Sequence, residues 1–450
     1  MAKKKSTVKK VTKMAKKNPK AFVILVLVVF LLVGLGIGGY FVYTNFINPA
    51  REFSLVGGNV ESIGLNTEYV EKGVKATYKG QDVSNEVKIS YFEGTGSSKT
   101  AVDKITTDVE KSFTVDYSIS HEKLQESLSR TVNVVNVAPM SINFLELGNH
   151  NTGDCTYIKA GDTDILIDAG SKTSSTETVV NYLKDHVEDN KIEYLVVTHA
   201  HQDHIASLVG TNTVPGVLET FNIDNIIQFA RTDVTSALYG NYCTKRDAKV
   251  SAGTHLYYAN DVANNVYNIA PGITMKVLDQ RFYYESSGDE NNYSVCTLFT
   301  QGSNNYLFTG DLEKEGEESL VAKNTLPKVQ LFKGGHHGSK TSNNECLLSV
   351  IQPEVVCICC CAGNDEYTDN VLNQFPTQDA INRIAIYTKR IYVTTVSTDG
   401  KSGFTSMNGI INFLCVGGSE YEVHGSNNDT ILKETQWFKD NRTWPSGGIA

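Results

Sequence analysis

Three histidines and one aspartate stand close together in segment 198–204, which reads THAHQDH. Imidazole and carboxylate groups are ligands of first-row divalent metals. Directly after a strand, the i, i+2 spacing lets His199 and His201 face one cation, and the next turn lets Asp203 and His204 face a second. A metal-free, histidine-rich surface loop is the weaker interpretation, because four ligand-type residues follow an apolar run at this spacing. The segment therefore predicts a site for two metal ions.

Such a site would carry out hydrolysis. Two cations about 3.5–4 Å apart lower the pKa of a bridging water towards 7 and polarise a phosphoryl or carbonyl oxygen. No serine or cysteine nucleophile is then needed. Cys155 follows Gly153-Asp154, but no base partner is evident for it, so we interpret it as a buried thiol. The pattern favours attack by a hydroxide that lies between the two metals.

The elements that must position these groups alternate between strands and helices from about residue 141 onward. Apolar runs predict strands, and the spacing of apolar residues after a Ser/Thr-rich start predicts a helix. The predicted strands are 142–147, 155–159, 164–168, 192–198, 306–309 and 329–332, and the predicted helices are 176–186 and about 314–322. This alternation is typical of a layered α/β domain whose chemistry lies in loops at strand ends.

The run His199-x-His201-x-Asp203-His204 is also the signature of the metallo-β-lactamase fold. Further segments resemble that family in the same order along the chain: 144–148, 153–155, 166–170, 308–311 and 335–339. Segments 291–295, 310–312, 336–339 and 353–357 most resemble the ComEC-like branch, which is named after the soluble domain of a DNA-uptake protein. The resemblance covers about 141–424 and implies an αββα sandwich with metal-dependent hydrolase activity.

The resemblance also implies a role for each matching residue. The implied metal ligands are His199, His201, Asp203, His204, Asp311 and His336. Among them, His199 and His201 would hold the first metal, and Asp311 would bridge to the second. Asp203 or Asp311 would accept the proton of the attacking water. The implied metals are two divalent ions, zinc in the first place, with manganese and iron as alternatives that the nitrogen and oxygen ligands also suit.

Neighbouring residues would support the metals or contact the substrate. His337 would be a proton donor to the leaving group, and Asp168 would orient the histidine loop. Asp154, Asn292 and Ser294 are further candidates for support or substrate contact. One departure from the family stands out. Many members place another histidine on the first metal, yet only His255 occurs between 204 and 311, in a segment unlike that motif. The first metal could thus be under-coordinated or completed by water.

The first 47 residues have the pattern of a membrane anchor. Residues 1–20 contain nine lysines and no acid, and 21–47 contain no charge. An apolar stretch of about 20 residues can cross a bilayer, and the lysines favour a cytoplasmic N-terminus with the remainder outside. A cleaved signal peptide is disfavoured because the apolar core is long and lacks a small-x-small ending. We predict a basic tail at 1–20 and a transmembrane helix at 21–47.

Two further segments flank the α/β region. Short alternating runs with turn residues between them predict a small all-β sandwich over 52–139. Segment 68–77, EYVEKGVKAT, resembles the strand entry of a bacterial Ig-like module, which implies a spacer or a binding module. The tail 425–450 is polar apart from Trp437, Phe438 and Trp444, so its sequence leaves docking and mobility both open.

Charge limits the substrate. Subtracting the nine N-terminal positive charges from the total of −9 leaves −18 for residues 21–450. An acidic surface disfavours broad capture of long nucleic acid, which depends on neutralising phosphates. The leading hypothesis is hydrolysis of phosphodiesters outside the cell, by a nuclease or a phosphodiesterase for smaller substrates. Alternatives are a lactone or β-lactam hydrolase, and a non-catalytic surface protein whose metal domain binds a partner.

Overall fold

The computed structural model describes residues 49–56, 59–65 and 68–450. The predicted basic tail and the predicted membrane helix, 1–20 and 21–47, lie outside these residues. No helix in the described part of the chain is both long enough and apolar enough to cross a bilayer.

The chain divides into two compact units. The first unit comprises the described residues up to Asn59 together with Val70–Ile105 and Phe113–Thr131. The second comprises Val60–Tyr69, Thr106–Ser112 and Val132–Ala450.

Antiparallel strands build the first unit, as the alternating runs predict. The strands of the described chain up to residue 135 are β1 (Arg51–Leu55), β2 (Val60–Gly64, in the second unit), β3 (Val74–Tyr78), β4 (Gln81–Asp82), β5 (Lys88–Glu93), β6 (Thr100–Val102), β7 (Lys111–His121) and β8 (Leu124–Val135). One sheet has the order β1-β3-β4, and in another β8, β7, β5 and β6 follow one another. Side chains of both sheets meet in one small core. The likeness to an Ig-like module stays a prediction.

A buried ion pair lies within this first unit. The Arg130 side chain is fully buried, and its Nη1 donates to Oε1 of Glu71 over 3.0 Å. Its Nη2 donates to the carbonyl of Val56, and its guanidinium lies 5.6 Å from the ring centre of Tyr117. A buried charge is tolerated only when it is paired and hydrogen-bonded in this way.

Two eight-stranded sheets form the second unit. Their strands are β9 (Met140–Phe144), β10 (Thr156–Ala160), β11 (Thr163–Ile167), β12 (Lys191–Val197), β13 (Asn222–Gln228), β14 (His255–Tyr258), β15 (Val266–Ala270), β16 (Ile273–Val277), β17 (Thr297–Gln301), β18 (Asn304–Phe308), β19 (Leu331–Lys333), β20 (Val355–Ala362), β21 (Ile391–Ser397), β22 (Phe404–Ser406), β23 (Ile411–Cys415) and β24 (Tyr421–Gly425). The orders are β14-β13-β12-β11-β10-β9-β23-β24 and β15 to β22 in sequence.

Parallel pairing occurs around the strands that carry the predicted chemistry. Strands β11 to β14 are parallel in the first sheet, and β18 to β21 are parallel in the second. Apolar side chains of both sheets share one large core, in which Phe144 stacks against Phe308 at 6.3 Å. Strand β20 is buried along its whole length, and all nine cysteines are free, so the cysteine run 357–361 is a core strand.

Helices lie on both outer faces and complete an αββα arrangement. They are α1 (Thr176–His186), α2 (Gln202–Val209), α3 (Val217–Thr220), α4 (Ala237–Ser251), α5 (Ala259–Val262), α6 (Lys314–Lys323), α7 (Glu345–Ile351), α8 (Gln378–Ile384) and α9 (Gln436–Asn441). Short 3-10 turns include Glu290–Tyr293 and Gly335–Gly338. The apolar residues of α1 join the core of the first sheet, and those of α6 to α9 join a second core against the other sheet.

The C-terminal tail docks on the second sheet's side of the domain. Leu432 and Phe438 are buried in the outer core there. Beyond α9, the Arg442 side chain donates to the carbonyls of Pro376 at 3.0 Å and Gln374 at 2.7 Å. The tail thus fixes the segment that follows β20.

Candidate metal centre

The predicted ligands lie where parallel strands of the two sheets end. Asp168 follows β11, and the THAHQDH run follows β12. Asp311 follows β18, and the GGHHG segment follows β19. Because the carboxyl ends of parallel strands leave their loops at one edge, residues far apart in sequence are brought together there. The position of the site is therefore a consequence of the topology.

Four buried residues form the centre of the site, which we call the Asp311 cluster: Asp154, His204, Asp311 and His337. One ligand atom from each lies within 4.8 Å of all the others. Oδ2 of Asp311 is 3.1 Å from Nε2 of His204 and 3.2 Å from Nε2 of His337. Nδ1 of His337 is 3.3 Å from Oδ1 of Asp154. Carboxylate and imidazole atoms at this spacing can converge on one cation.

The other histidines of the THAHQDH run lie beside this cluster. Nε2 of His199 is 3.0 Å from Nδ1 of His201, a separation at which one cation could bind both nitrogens. The rings of His199 and His204 are 4.1 Å apart between centres. Asp203 places Oδ2 3.4 Å from Nε2 of His337. The structure thus brings together all four predicted ligands of the run.

The two histidines of the GGHHG segment occupy different environments. His337 is buried, and its Nδ1 is 2.9 Å from the carbonyl oxygen of Cys359. His336 is partly exposed; its Nδ1 is 3.1 Å from Oγ1 of Thr341, and its Nε2 is 3.8 Å from Oδ2 of Asp311. Both have positive φ, 47° and 53°, a conformation that side-chain-bearing residues rarely adopt. His337, which the sequence predicts as a proton donor, is the deeper of the two and the nearer to Asp311.

Asp168 holds the histidine run from behind. Its carboxylate accepts hydrogen bonds from the backbone N–H and the hydroxyl of Thr198, both at 2.7 Å. Its Oδ2 is also 2.8 Å from Nδ1 of His204. A hydrogen bond at Nδ1 leaves Nε2 directed at the cluster, which is how an outer partner fixes a ligating imidazole. The location suits the orienting role that the sequence predicts.

Asn292 and Ser294 support the loop of Asp311 rather than facing the cluster directly. Oγ of Ser294 accepts from the backbone N–H of Asp311 at 3.1 Å and lies 3.5 Å from Nδ1 of His199. Oδ1 of Asn292 accepts from the backbone N–H of Glu313 at 3.2 Å. The segment therefore links the two halves of the site.

The residues present fit a bound metal. Three buried atoms of the cluster have no hydrogen-bond partner: Oδ1 of Asp311, and Nε2 of His204 and of His337. The carboxylate of Asp154 is already paired with the ammonium of Lys333. Leaving buried polar atoms without hydrogen bonds is costly. A cation at their centre would satisfy them, and nitrogen with oxygen donors suits zinc, manganese or iron. Divalent metals are the cofactors that this donor set implies.

Charges in the site oppose and outweigh the effect of burial. Burial alone would lower the pKa of His204, but the carboxylates of Asp311 and Asp168 raise it well above its usual range. Conversely, burial would raise the pKa of Asp311, but the imidazoles of His337 and His204 hold it well below. Burial is the dominant influence on His199, and it lowers the pKa of this imidazole. A neutral imidazole is the form that binds a metal.

Lys333 is a member of the site that sequence reasoning missed. It ends β19, is buried, and its ammonium contacts Oδ2 of Asp154 and lies 3.7 Å from Oδ1 of Asp311. These two carboxylates outweigh burial and raise its pKa. A charged residue at the end of a short apolar strand, just before GGHHG, is the signal that could have identified it. Lys333 balances part of the negative charge of the cluster.

Tyr367 is a second residue that the sequence did not reveal. Its hydroxyl donates to Oδ2 of Asp203 over 3.0 Å from a loop 164 positions away. Burial of the hydroxyl and the charge of Asp203 raise the pKa of Tyr367. The residues around it, 364–370, are polar and match no motif, so no local pattern marks it.

His255 is exposed at the start of β14, on the edge of the first sheet. This agrees with a role outside the metal centre.

Near His201, the carboxylate of Glu290 is half-buried, and its Oε2 accepts from the backbone N–H of Asp233 at 2.8 Å. Its Oε1 is 3.4 Å from the backbone nitrogen of Ala200, inside the histidine run.

Comparison with known families agrees with this geometry. Residues 149–210, which include the THAHQDH run, match the family model described as the metallo-beta-lactamase superfamily. The chain carries a metallo-beta-lactamase domain. Its fold is that of a metal-dependent hydrolase, with an α/β architecture and a buried Asp/His cluster that can hold metal.

Named relatives are larger proteins. Recombination protein 2 of Haemophilus influenzae is 33% identical over 115 residues, which are 26% of this chain and 14% of the relative. ComE operon protein 3 of Bacillus subtilis is 26% identical over 175 residues, 37% of this chain and 20% of the relative. Part of this chain is therefore similar to part of the proteins named Recombination protein 2 and ComE operon protein 3. The matches span at most a fifth of these relatives' length.

Solved structures show only a slight similarity. A metallo-beta-lactamase with a HARLDQ motif from Cronobacter sakazakii is 13% identical, over 38% of this chain and 60% of that one, with a TM-score of 0.24. A TM-score this low supports no conclusion about this chain.

Proposed function

We propose that the metallo-beta-lactamase domain hydrolyses phosphodiester bonds with the help of two divalent metal ions. The observation that carries the proposal is the Asp311 cluster with its unsatisfied buried ligand atoms. Directly beside it, the nitrogens of His199 and His201 converge on a second position. Two adjacent cation positions joined by one carboxylate are the arrangement that this chemistry requires.

The proposed ligand roles follow from the distances. His199 and His201 would hold the first metal, and Asp311 would contact both metals. Asp203, His204 and His337 would hold the second metal. His337 takes the place that the sequence predicts for His336, because its Nε2 is 3.2 Å rather than 3.8 Å from Oδ2 of Asp311.

The chain's own groups handle the protons. Divalent cations bound in the cluster supply Lewis acidity and lower the pKa of a water molecule. Asp203 and Asp311 hold carboxylate oxygens beside that position, where they can accept its proton. His336 is partly exposed, and its Nδ1 lies 3.1 Å from Thr341 and 3.5 Å from Oε1 of Glu313. From this position, in place of His337, it donates a proton to the leaving group.

Phosphodiesters are favoured over lactones and β-lactams by the relatives. The name of one relative refers to recombination, a process that concerns DNA. The net charge of −18 over residues 21–450 opposes the capture of long nucleic acid. We therefore favour short or small phosphodiester substrates over long duplexes.

The proposal includes a cellular location for the enzyme. Segment 21–47 anchors the chain in the membrane, and residues 1–20 remain in the cytoplasm. The catalytic domain then acts outside the cell, with the 52–139 module as a spacer. An alkaline phosphatase fused after residue 48, or the accessibility of a cysteine introduced there, would report the orientation. A result that places residue 48 in the cytoplasm would contradict the proposed orientation.

Metal content and turnover of the full-length chain test the proposed activity. The purified protein should contain about two divalent ions and hydrolyse bis(p-nitrophenyl) phosphate. Asp203→Ala should abolish turnover, because it removes a ligand and a proton acceptor. The matched control is Asp185→Ala, an exposed aspartate on α1, which should leave turnover unchanged. Turnover of nitrocefin alone would instead indicate a β-lactamase, and a metal-free inert protein would contradict both activities.

A further inference from the structure

Tyr367 reaches the metal centre from the loop between β20 and α8. Its hydroxyl donates to Oδ2 of Asp203 at 3.0 Å. The same oxygen lies 3.4 Å from Nε2 of His337, so the phenol stands at the edge of the ligand atoms themselves. The residue is nevertheless 55% exposed. The side chain therefore extends from solvent to the ligands along one wall of the site.

The loop that carries Tyr367 is fixed at the preceding residue. Oε1 of Glu366 accepts from Nδ2 of Asn151 at 3.0 Å, and its Oε2 accepts from the backbone N–H of Thr152 at 2.9 Å. The ammonium of Lys172 lies 2.9 Å from Oε1 of Glu366. A side chain held in place by such outer contacts loses little entropy when it binds a ligand.

An aromatic neighbour sets the direction of the ring. The centre of the Tyr367 ring is 5.4 Å from that of Phe375. The Phe375 ring lies in turn 5.8 Å from His336 and 5.9 Å from His337. Phe375 thus fills the space between the tyrosine and the two histidines. The hydroxyl is left as the polar group on this wall.

We propose that Tyr367 contacts the substrate and donates a hydrogen bond to a non-bridging oxygen of the scissile phosphoryl group. This inference rests on the proposed phosphodiesterase function. When Asp203 gives a lone pair to a metal, its oxygen becomes a weaker acceptor, and the phenol is available to an incoming anion. The proton stays on the tyrosine oxygen throughout, so no covalent bond changes in this contact. A fixed donor aimed at developing negative charge stabilises the transition state.

Tyr367→Phe in the full-length, metal-loaded chain tests the contact, because it removes only the hydroxyl. We expect unchanged metal affinity, about 10-fold weaker binding of inorganic phosphate, and a fall in kcat/KM towards bis(p-nitrophenyl) phosphate of about 10²-fold. Phosphate binding is measured by calorimetry and needs no turnover. The matched control is Tyr387→Phe, whose hydroxyl donates to Glu345, the first residue of α7. The control should behave as the wild type in all three measurements.

Any of three results would overturn the inference. The first is unchanged phosphate affinity and kcat/KM in Tyr367→Phe, and the second is a wild type that does not bind phosphate. The third is a loss that disappears at saturating metal, which would show that the hydroxyl only orients Asp203. The phosphate measurement also separates the two proposals. A wild type that fails to hydrolyse the diester contradicts the proposed function, whereas Tyr367 is still judged by phosphate affinity.

Discussion

Replacing Asp168 with asparagine is expected to weaken metal binding while keeping the domain folded. The carboxylate accepts from the N–H and hydroxyl of Thr198 and faces Nδ1 of His204. Asparagine has one acceptor oxygen, and the backbone N–H of Thr198 can only donate. The amide oxygen is therefore kept on that side, and the NH₂ group faces His204. His204 must then carry its proton on Nε2, the nitrogen that points to Asp311.

The size of the effect follows from this change of tautomer. A protonated Nε2 cannot bind a metal, so His204 must break its contact to position 168 or leave the ligand set. Loss of such an outer partner typically lowers metal affinity 10–100-fold, which corresponds to about 1.4–2.7 kcal/mol. Asparagine has nearly the same volume as aspartate, so packing is preserved and the loss is specific to metal binding.

Competition with a fluorescent zinc chelator measures this change in the full-length chain. The matched control is Asp164→Asn, a buried aspartate on β11, the strand that Asp168 follows; its Oδ2 accepts from Lys159 at 2.8 Å. That variant should lower the melting temperature but not the metal affinity. Equal zinc affinity in Asp168→Asn and the wild type would refute the orienting role.

Three further predictions concern buried charges. Lys333→Met should raise metal affinity about 10-fold, measured by chelator competition, because a cation beside the ligands is removed. It should also destabilise the metal-free protein by about 3–5 kcal/mol, because Asp154 loses its ammonium partner. Weaker metal binding in this variant would contradict the first expectation. Arg130→Met should destabilise the first unit by about 3–5 kcal/mol in denaturant unfolding, with unchanged metal content as the check on the second unit. Burial raises the pKa of Glu317 to about 7. The folded state therefore retains that proton longer than the unfolded state, and stability should fall by about 3 kcal/mol as pH rises from about 5 to about 8. Glu317→Gln should unfold without this slope.

The ligand loops could be predicted from sequence because their signals are local. The THAHQDH run and the GGHHG segment each follow an apolar run, and strand ends in an α/β domain are where such loops meet. Six strands and two helices between residues 142 and 332 followed from the same periodicity, and the other elements of the domain were not predicted. Which histidine of the GGHHG segment lies deeper could not be predicted. It depends on the left-handed backbone at His336 and His337, which spacing does not encode.

Residues that reach the site through tertiary contacts were harder to find. Tyr367 is brought to Asp203 by the path of β20 and by the anchoring of Glu366, and neither has a motif. Lys333 looked like the polar end of a short strand, and only the packing of the second sheet against the first reveals its contact with Asp154. The docking of the tail through Arg442 was left open for the same reason.

The left-handed residues of the metal centre set stability against activity. Asp168, His336 and His337 have φ values of 55°, 47° and 53°. Each such residue costs about 1–3 kcal/mol, whereas glycine adopts this conformation readily. A variant library selected only for heat resistance should therefore accumulate glycine at these three positions. Glycine at Asp168 or His337 would cost metal binding, and glycine at His336 would cost the proton donor. Thermostable forms that still work must gain their stability at other positions.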